Sequence, residues 1–395
     1  MLFPLVLGAR SWQSEVADLL DFGFDLDMSA EAIAAEFDVT GSIVALSSIE
    51  SGNVNDTYRV VTRTTFAEEQ FILQRINQKV FPDPQKVMAN MKAITKHAHQ
   101  RIEAEAEEAD RVWQLPQVIP ARDGQDFVID EDGEYWRGLT LITSATSHEK
   151  AITIEHAQEA GIVLGHFQRI ISDFPVDELE DTLPGFHIAP GYLAQYDAVR
   201  ESERAQQMIG WSSEARRLVK FVEERRDLCH LLEGAKASGE LMERPTHGDP
   251  KISNVMVDEV TGKGTAIVDL DTVKPGLVHY DFGDCARSAC NPAGEETKDL
   301  TEVVLDLDLF EALVKGYLRE AESFLTGADH RYLYDSLRLI SFELGLRFFA
   351  DYLAGDQYFK VGYDGQNLNR ARVQMKVCES IEAREGPIRR ALGRV

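Results

Sequence analysis

The chain has 395 residues, 44 % of them hydrophobic, and a formal net charge of −26 at pH 7. This length and apolar content allow a full hydrophobic core and favour two lobes or domains over one. The acidic charge argues against a nucleic-acid partner, because a negative surface repels phosphate backbones. No apolar run in the sequence is long enough to predict a membrane span, and the apolar start of the chain lacks the basic flank and cleavage site of a secretion signal.

The cysteines are scattered along the chain at Cys229, Cys285, Cys290 and Cys378, and their spacing matches neither a metal site nor a disulfide framework. Thiols in this arrangement favour a reducing compartment. We therefore expect a cytoplasmic protein without a membrane partner, and we further expect a monomer or a homodimer.

Three regions are predicted along the chain: an N-terminal extension (1–40), a small β-rich lobe (41–143) and a large, mainly helical lobe (144–395). The small lobe is predicted to contain an antiparallel strand pair (57–61 and 70–76), a helix (83–108) and two further strands (127–129 and 135–142). Apolar residues at helical spacing predict helices at 157–171, 191–208 and 214–232, and after residue 295.

The most informative segment is the polar loop 246–254, with the sequence Thr-His-Gly-Asp-Pro-Lys-Ile-Ser-Asn. A predicted β-hairpin follows it and ends at Asp269. The spacing of His247, Asp249 and Asn254, with Asp269 beyond the hairpin, is typical of the catalytic loop and metal-binding carboxylate of a kinase. An Asp near a His in a polar loop is more often an Asx turn or a helix cap, but the hairpin context favours the catalytic interpretation.

These residue types suit phosphoryl transfer, which needs a carboxylate to orient a hydroxyl and oxygen ligands to hold Mg²⁺ on nucleotide phosphates. We predict that Asp249 orients the acceptor hydroxyl and that Lys251 offsets charge on the transferring group. Asn254 and Asp269 are the predicted Mg²⁺ ligands, and His247 is predicted to brace the loop. The predicted cofactors are ATP and Mg²⁺.

A literal Asp281-Phe282-Gly283 sequence matches the metal-binding triplet of protein kinases by its letters. It follows Pro275-Gly276 at the predicted start of a helix, whereas the hairpin brings Asp269 toward the loop first. We therefore assign metal binding to Asp269 and predict that Asp281 caps that helix or braces the catalytic loop. Asp271 is a second metal candidate, because it shares a strand face with Asp269 if the segment stays extended.

Candidate nucleotide-binding residues lie in the first strand pair and in the loop before it. The loop supplies Gly52, Asn53 and Asn55, and Thr57 follows. Small residues here would let backbone N–H groups approach phosphates. Taken alone, an ordinary hairpin turn would have the same composition.

Gln74 or Arg75 occupies the position at which kinases carry a phosphate-binding strand lysine. Neighbouring strand residues face opposite sides, so only one of the two can point into the cleft, and the sequence leaves open which. The helix at 83–108 has no Glu between Lys86 and His97, so a lysine–glutamate ion pair is not expected.

The segments 247–255, 267–277 and 280–287 together resemble the aminoglycoside phosphotransferase and choline kinase superfamily, and within it the N-acetylhexosamine 1-kinases. Further similar blocks are 51–58, 71–77, 135–137 and 347–360. The resemblance implies a two-lobed, protein-kinase-like α+β fold with a small β-rich N-terminal lobe and a large, mainly helical C-terminal lobe. It also implies phosphorylation of the anomeric hydroxyl of an N-acetylhexosamine or a related sugar.

The same resemblance implies that Arg347 and Tyr358 help to hold the sugar beside Asp249. Arginine offers several directed donors, and tyrosine offers a ring surface and a hydroxyl. Spacing alone equally allows Arg347 to pair with Asp351 on the next helical turn. Asp284 and Arg287 form a similar three-apart pair and are secondary substrate candidates. His187, alone in the loop after Pro184-Gly185, is more often structural than catalytic in such a position.

Three alternatives remain open. Another kinase of the superfamily, acting on choline, homoserine or an aminoglycoside, would keep these motifs and change the acceptor pocket. A catalytically silent nucleotide-binding protein is disfavoured because Asp249, Asn254 and Asp269 are all present. A hydrolase would need a nucleophile motif or a metal-bound water site, and the sequence offers neither.

Overall fold

The computed structural model describes residues 28–49, 54–106 and 110–393. Its strands are β1 (Ser42–Ser48), β2 (Asp56–Arg63), β3 (Glu68–Arg75), β4 (Val118–Ile119), β5 (Val128–Ile129), β6 (Tyr135–Thr140), β7 (Ala145–Ser147), β8 (Arg244–Thr246), β9 (Val255–Asp258), β10 (Gly264–Ile267) and β11 (Lys274–Gly276).

Helices precede, separate and follow these strands. They are α1 (Met28–Ala34), α2 (Pro84–Glu105), α3 (Ile154–Ile171), α4 (Ala189–Arg200), α5 (Glu203–Trp211), α6 (Ser213–Glu223), α7 (Leu231–Ala237), α8 (Val278–Ala289), α9 (Leu307–Ala321), α10 (Gly327–Ala354), α11 (Gln366–Ala383) and α12 (Glu385–Leu392).

The small lobe is built on an antiparallel sheet in the order β1-β2-β3-β6-β4, with β5 also paired to β6. Alternation along β3 sends Phe71 and Leu73 to one face, where they pack with Val60 and Trp136. Ile72 lies on the opposite face and packs against the core of the large lobe. The predicted pairing of the first two strands is confirmed, since β2 and β3 run antiparallel with Val60 opposite Phe71.

After β6 the chain crosses to a second sheet, in which β9 lies between β10 and β7. β9 and β10 form the predicted hairpin, with Val255 opposite Ile267. A separate two-stranded sheet pairs β8, which precedes this hairpin in the chain, with β11, which follows it. The loop between β8 and β9 is the polar segment singled out in the sequence, so both of its ends are fixed by strands.

The large lobe is mainly helical, and one of its buried clusters joins α3, α8, α9 and α10. Phe167 of α3, Phe282 of α8, Phe310 and Tyr317 of α9 and Leu337 of α10 belong to this cluster. A two-lobed, kinase-like α+β fold is therefore confirmed. None of the helices in the described ranges is long and apolar enough to cross a membrane.

Two predicted helices were wrong in extent. The stretch 191–208 was expected to be one helix, but α4 ends at Arg200 and α5 begins at Glu203, because the Ser202 side chain caps a new helix by accepting from the Ala205 backbone N–H. The stretch 214–232 is likewise divided, since α6 ends at Glu223 and a short 3₁₀ helix precedes α7. Each break lies in a run of five polar residues (200–204 and 223–227), which the predicted helices bridged.

Glycines let α3 and α9 approach closely. A Cβ built on Gly161 of α3 would collide with the Leu313 carbonyl of α9, and one built on Gly316 of α9 would collide with the Gln158 carbonyl of α3. Backbone lies on both sides of this contact, so the helices would have to move apart to admit a methyl group.

We expect Gly316→Ala to lower the free energy of unfolding by roughly 1–3 kcal/mol, because it overpacks this contact. Gly234→Ala is the matched control, since a Cβ there meets no atom within 4 Å. It should hold or raise stability, as alanine favours a helix over glycine. Urea unfolding of the two variants measures both effects, and a Gly316→Ala protein as stable as the control would contradict the account.

Candidate active site

The backbone of the catalytic loop is held in a conformation that requires glycine. Gly248 has φ of +88°, and a Cβ there would lie 2.6 Å from the carbonyl oxygen of Thr272. The hydroxyl of the same threonine donates to the His247 carbonyl at 2.8 Å. The loop therefore lies directly against the turn that follows Asp269.

A buried carboxylate fixes the same loop from the other side. Asp281 accepts the backbone N–H of His247 at 2.8 Å and that of Gly248 at 2.9 Å. It also accepts from the Gln168 amide at 3.0 Å, and the Tyr317 hydroxyl donates to that glutamine at 2.8 Å. Of the two roles predicted for Asp281, bracing is confirmed. Capping is wrong, because α8 begins at Val278 and Asp281 therefore lies inside the helix.

His247 also braces the loop, as predicted. Its Nε2 donates to the Val268 carbonyl at 3.0 Å, and its Nδ1 accepts the Asp249 backbone N–H at 3.2 Å. Burial lowers the pKa of His247, which favours the neutral ring that this pattern of one donor and one acceptor requires. A neutral imidazole with both nitrogens engaged in this way is a structural link and not a proton carrier.

Asp249, Lys251 and Asn254 lie together at the mouth of the loop. Lys251 Nζ is 2.8 Å from Asp249 Oδ2, and the Asn254 amide nitrogen donates to the Asp249 carbonyl at 2.7 Å. Burial opposes ionisation of Asp249, but the Lys251 ammonium outweighs it and holds the pKa of Asp249 below its usual value. Asp249 is therefore an ionised acceptor at neutral pH and a weak base, better suited to orienting a hydroxyl than to removing its proton early.

Asp269 follows β10 in a left-handed conformation, with φ of +67°. Its carboxylate accepts no hydrogen bond from the part of the chain that the structure describes. Desolvation by the surrounding protein, followed by repulsion from Asp271 and Asp249, raises the pKa of Asp269 to about 7. A cation bound beside this carboxylate would therefore be stabilised by the negative charges around it.

Asp271 does not share a strand face with Asp269, because the segment does not stay extended. Leu270–Thr272 forms a 3₁₀ helix that directs Asp271 toward the small lobe. There it pairs with Arg137 at 2.5 Å and accepts from Asn55 at 2.6 Å. The prediction of Asp271 as a metal candidate rested on an extended strand and is not supported by this geometry.

The donor set of the loop fits a hard divalent cation such as Mg²⁺. The Asn254 nitrogen is used by the Asp249 carbonyl, which leaves its amide oxygen as the free donor, and the Asp269 carboxylate is unpaired. Mg²⁺ prefers oxygen ligands and is commonly held by one or two protein groups together with phosphates. Within the described ranges no three His, Cys, Asp or Glu side chains cluster as a metal site, so Asn254 and Asp269 would hold the ion together with phosphate oxygens.

On the small lobe, the candidate nucleotide residues Asn55, Thr57 and Gln74 are brought together at the lobe junction. Gln74 donates to the Thr57 hydroxyl at 3.0 Å and accepts two N–H groups of Arg137 at 2.7 and 2.9 Å. Arg137 is 1 % exposed and also pairs with Asp271, so one buried guanidinium links the lobes. Sequence reasoning assigned Arg137 no role, because only the register that places it opposite Gln74 reveals it.

The structure does not bring Arg75 to this junction. It lies on the opposite sheet face, where its Nε donates to Asp56 at 3.0 Å and its guanidinium lies over the Trp136 ring. The choice that the sequence left open is therefore decided in favour of Gln74 as the residue facing the cleft. Gly52 and Asn53, the other two nucleotide candidates, lie outside the described residues.

Arg347 on α10 lies among three aromatic rings. Its guanidinium carbon is 5.3 Å from the Phe186 ring centre, 4.8 Å from that of Tyr192 and 5.5 Å from that of Phe359. It makes no ion pair or hydrogen bond with residues in the described ranges, and the Asp249 charge acts on it. Its donors are thus unpaired within the described ranges, and Asp249 is near enough for its charge to be felt.

The alternative pairing of Arg347 with Asp351 is wrong. Asp351 instead accepts the backbone N–H groups of Gln357, Tyr358 and Phe359 at 2.8–3.0 Å. This carboxylate orders the turn after α10 and so positions Tyr358, whose side chain is 59 % exposed. Asp351 supports the predicted acceptor residues without occupying the arginine.

Asp284 and Arg287 form the expected pair, buried on α8, with Arg287 Nη2 2.6 Å from Asp284 Oδ1. Arg287 also contacts Glu295. Asp284 Oδ2 is buried without a hydrogen-bond partner, and burial and then the Asp249 charge raise the pKa of Asp284. Arg287 is thus engaged by two carboxylates, and Asp284 is near enough to Asp249 to be affected by its charge.

A cavity of about 370 Å³ borders the catalytic loop. Phe186, His187, Thr246, Gly248 and Tyr280 contribute to its wall. Asp249 and Arg347 do not line it, so the cavity meets the loop at Thr246 and Gly248, beside His187. His187 was expected to be structural, and it contacts the Gly248 carbonyl at 2.8 Å.

We expect Asp281→Asn to lower the free energy of unfolding by about 1.5–3 kcal/mol, because the amide would turn an N–H group toward backbone donors that need an acceptor. Backbone amides of the catalytic loop should also exchange hydrogen faster. Urea unfolding and hydrogen-exchange mass spectrometry measure the two effects, with the exposed Asp227→Asn as control. Unchanged stability and unchanged loop protection would contradict the bracing role.

Solved structures share this architecture at low sequence identity. A microcompartment-associated aminopropanol kinase is similar with a TM-score of 0.59 and 19 % identity, over 91 % of this chain and 98 % of that one. An aminoglycoside phosphotransferase from Alicyclobacillus acidocaldarius gives 0.55 and 14 %, over 92 % and 96 %. A choline kinase from Cryptosporidium parvum gives 0.55 and 12 %, over 92 % and 98 %.

The family model described as the phosphotransferase enzyme family matches residues 45–325. The match spans most of the small lobe, the catalytic loop and the hairpin that carries Asp269. The chain therefore belongs to the phosphotransferase enzyme family.

Proposed function

We propose that this phosphotransferase is an ATP-dependent small-molecule kinase that phosphorylates the anomeric hydroxyl of an N-acetylhexosamine or a related sugar. The observation that carries the proposal is the arrangement of Asp249, Lys251, Asn254 and Asp269 around one loop, together with Arg347, which has no ion-pair partner among the described residues. The first four residues suit phosphoryl transfer, and Arg347 suits a polar, uncharged acceptor.

In the proposed reaction, Asp249 accepts a hydrogen bond from the acceptor hydroxyl and aligns its oxygen with the γ-phosphorus of ATP. Because the pKa of Asp249 lies below its usual value, the proton passes to the carboxylate only as the new P–O bond forms and the bond from the γ-phosphorus to the bridging oxygen breaks, which releases ADP. Lys251 contributes positive charge beside the transferring group. Alignment and electrostatics thus supply most of the expected catalysis.

Asn254 and Asp269 would hold Mg²⁺, which neutralises phosphate charge when bound. Gln74 and Thr57 face the junction from β3 and β2 and are the proposed small-lobe contacts of the nucleotide. Asn55 is tied to Asp271 across the lobes, so it would set the distance between the two halves of the nucleotide site.

The acceptor class follows from Arg347 and its aromatic neighbours. A sugar presents hydroxyl and amide oxygens to a guanidinium and apolar C–H faces to rings. An amino alcohol such as choline would bring a cation beside an unpaired arginine, which is unfavourable unless the carboxylates nearby compensate. The solved relatives include kinases named for aminopropanol and choline, so another small alcohol is the alternative acceptor.

We expect Asp249→Asn to abolish turnover while retaining nucleotide binding, because the amide cannot accept the proton of the attacking hydroxyl. The assay is Mg²⁺-dependent ADP formation with N-acetylhexosamines, simple hexoses, choline, homoserine and an aminoglycoside as acceptors. The exposed Asp227→Asn protein is the control and should remain active. Full activity of Asp249→Asn would refute its role, and turnover with choline but no sugar would reject the sugar assignment.

The neighbouring residues Gln74 and Arg75 provide an internal comparison on one strand. Gln74→Ala should weaken ADP binding by about 1 kcal/mol, because it removes a polar contact from the cleft face. Arg75→Ala should leave the affinity unchanged, since its side chain lies on the other face with Asp56. Isothermal titration calorimetry measures the ADP affinity of both variants. A larger loss of affinity in Arg75→Ala than in Gln74→Ala would contradict the assigned orientation.

Arg347→Lys should raise the KM for the acceptor by about 10- to 100-fold, since lysine cannot reproduce the directed donors of the guanidinium. The KM for ATP should change little, because Arg347 lies on the acceptor side. Steady-state kinetics with each substrate varied in turn measures both values. The exposed Arg331→Lys is the control, and an equal loss in both KM values would place Arg347 outside the acceptor pocket.

A further inference from the structure

His187 lies between a buried carboxylate and the backbone of the catalytic loop. Its Nδ1 is 2.9 Å from Glu343 Oε1 and its Nε2 is 2.8 Å from the Gly248 carbonyl oxygen. His187 is 7 % exposed and Glu343 is 1 % exposed. The Tyr280 ring stacks on the imidazole, with 5.3 Å between ring centres. Both ring nitrogens therefore have fixed partners away from solvent.

The chemistry of these partners decides the protonation of the ring. A carbonyl oxygen can only accept a hydrogen bond, so Nε2 must carry a proton. An ionised carboxylate also can only accept, so Nδ1 must carry a second one. A neutral ring would fit these two partners only if Glu343 carried the proton instead.

We propose that His187 is a positively charged positioning residue. Its imidazolium is anchored by the Glu343 carboxylate, donates to the Gly248 carbonyl and thereby fixes the backbone that carries Asp249. This inference rests on the proposed role of Asp249 and extends it to a residue outside the catalytic loop. His187 touches neither the acceptor nor the nucleotide in this account and acts through Gly248.

The charges that face the imidazole support this state. Glu343 and Arg347 come from α10, Asp284 comes from α8, and Asp249 lies beyond Gly248 on the loop. Burial alone lowers the pKa of His187, but the Glu343 and Asp284 carboxylates and the Gly248 carbonyl together raise it above its usual value. Tyr280 from α8 and Tyr192 from α4 stay neutral, since burial raises the pKa of each hydroxyl.

The backbone at His187 is also in an unusual conformation. Its φ is +61°, which costs energy for a residue with a side chain and persists only where the surroundings hold it. The turn before it uses Gly185, with φ of +83°, and leads directly into this residue. The Glu343 and Gly248 contacts hold the ring that this backbone presents.

The same segment reaches the acceptor side of the site. Phe186, the preceding residue, lies over the guanidinium of Arg347, and Glu343 lies one helical turn before Arg347 on α10. An acceptor that engages Arg347 therefore contacts the segment and the helix that hold Gly248. His187 connects acceptor binding to the alignment of Asp249.

The first experiment measures the charge on His187 without using activity. The full-length protein is labelled with ¹⁵N-histidine, and the ring nitrogens of its 10 histidines are followed by long-range ¹H–¹⁵N NMR between about pH 6 and pH 9. His187→Asn, which tolerates a left-handed backbone, identifies the signals by their loss. We expect both nitrogens of His187 to be protonated at pH 7. A single protonated nitrogen at pH 7 would overturn the charged state.

The second variant, Glu343→Gln, keeps the shape of the partner and removes its charge. Without the carboxylate the imidazolium is less stable, so His187 should lose its proton at lower pH than in the wild type. The shift assigns the same signals even if His187→Asn fails to fold. The exposed Glu149→Gln protein should behave as the wild type, and an identical titration in Glu343→Gln would refute the pairing.

Kinetics then test positioning with whichever acceptor gives turnover. Glu343→Gln should move the high-pH decline of kcat to lower pH and leave the ADP affinity unchanged, because the brace is lost when the imidazolium loses its proton. His187→Asn should lower kcat by about 10- to 100-fold. A kcat profile identical to that of the wild type, with only stability reduced, would show a structural role. Absence of turnover with every acceptor would reject the proposed function and the positioning role, while the NMR result would still decide the charged pair.

Discussion

The buried carboxylate of Asp281 is the constraint on which the rest of the site depends. It binds two successive backbone N–H groups of the catalytic loop, and its own position is fixed by Gln168 and Tyr317 from the helices beneath. A buried ionised group is costly unless it is hydrogen-bonded, so the loop and the helical core must form together. Asp249 is consequently presented on rigid backbone, as expected of a group whose proposed task is alignment.

Charge is distributed so that each part of the site has one unsatisfied feature. Asp249 is matched by Lys251, whereas neither Asp269 nor Arg347 forms an ion pair or a side-chain hydrogen bond with the residues that the structure describes. The unpaired carboxylate is suited to a cation on phosphates and the unpaired guanidinium to an uncharged polar acceptor. Arg137 and Asp271 are matched to each other across the lobe junction, where the pair holds the small lobe over the loop. The proposed function therefore rests both on the charges that are paired and on the charges that are left free.

The sequence predicted the local features well, because strand alternation, the hairpin and the loop spacing are encoded by neighbouring residues. It singled out Asp249, Asn254 and Asp269 as candidates and preferred Asp269 to the literal triplet at Asp281, and these roles stay predictions. It could not assign Gln74 over Arg75, nor the roles of Arg137 and Asp271, since these depend on sheet register and on a 3₁₀ turn that breaks an expected strand. The link from His187 to Glu343 spans 156 residues, a separation that no local pattern describes.

The most direct test of the central claim is ³¹P NMR of a reaction that contains the protein, ATP, Mg²⁺ and an N-acetylhexosamine, run in parallel with Asp249→Asn. The account predicts a new phosphomonoester signal coupled to the anomeric proton, formed together with ADP and absent from the Asp249→Asn reaction. Inorganic phosphate as the sole product, or the same ester formed at an undiminished rate by Asp249→Asn, would contradict the claim that Asp249 aligns a sugar hydroxyl for phosphoryl transfer.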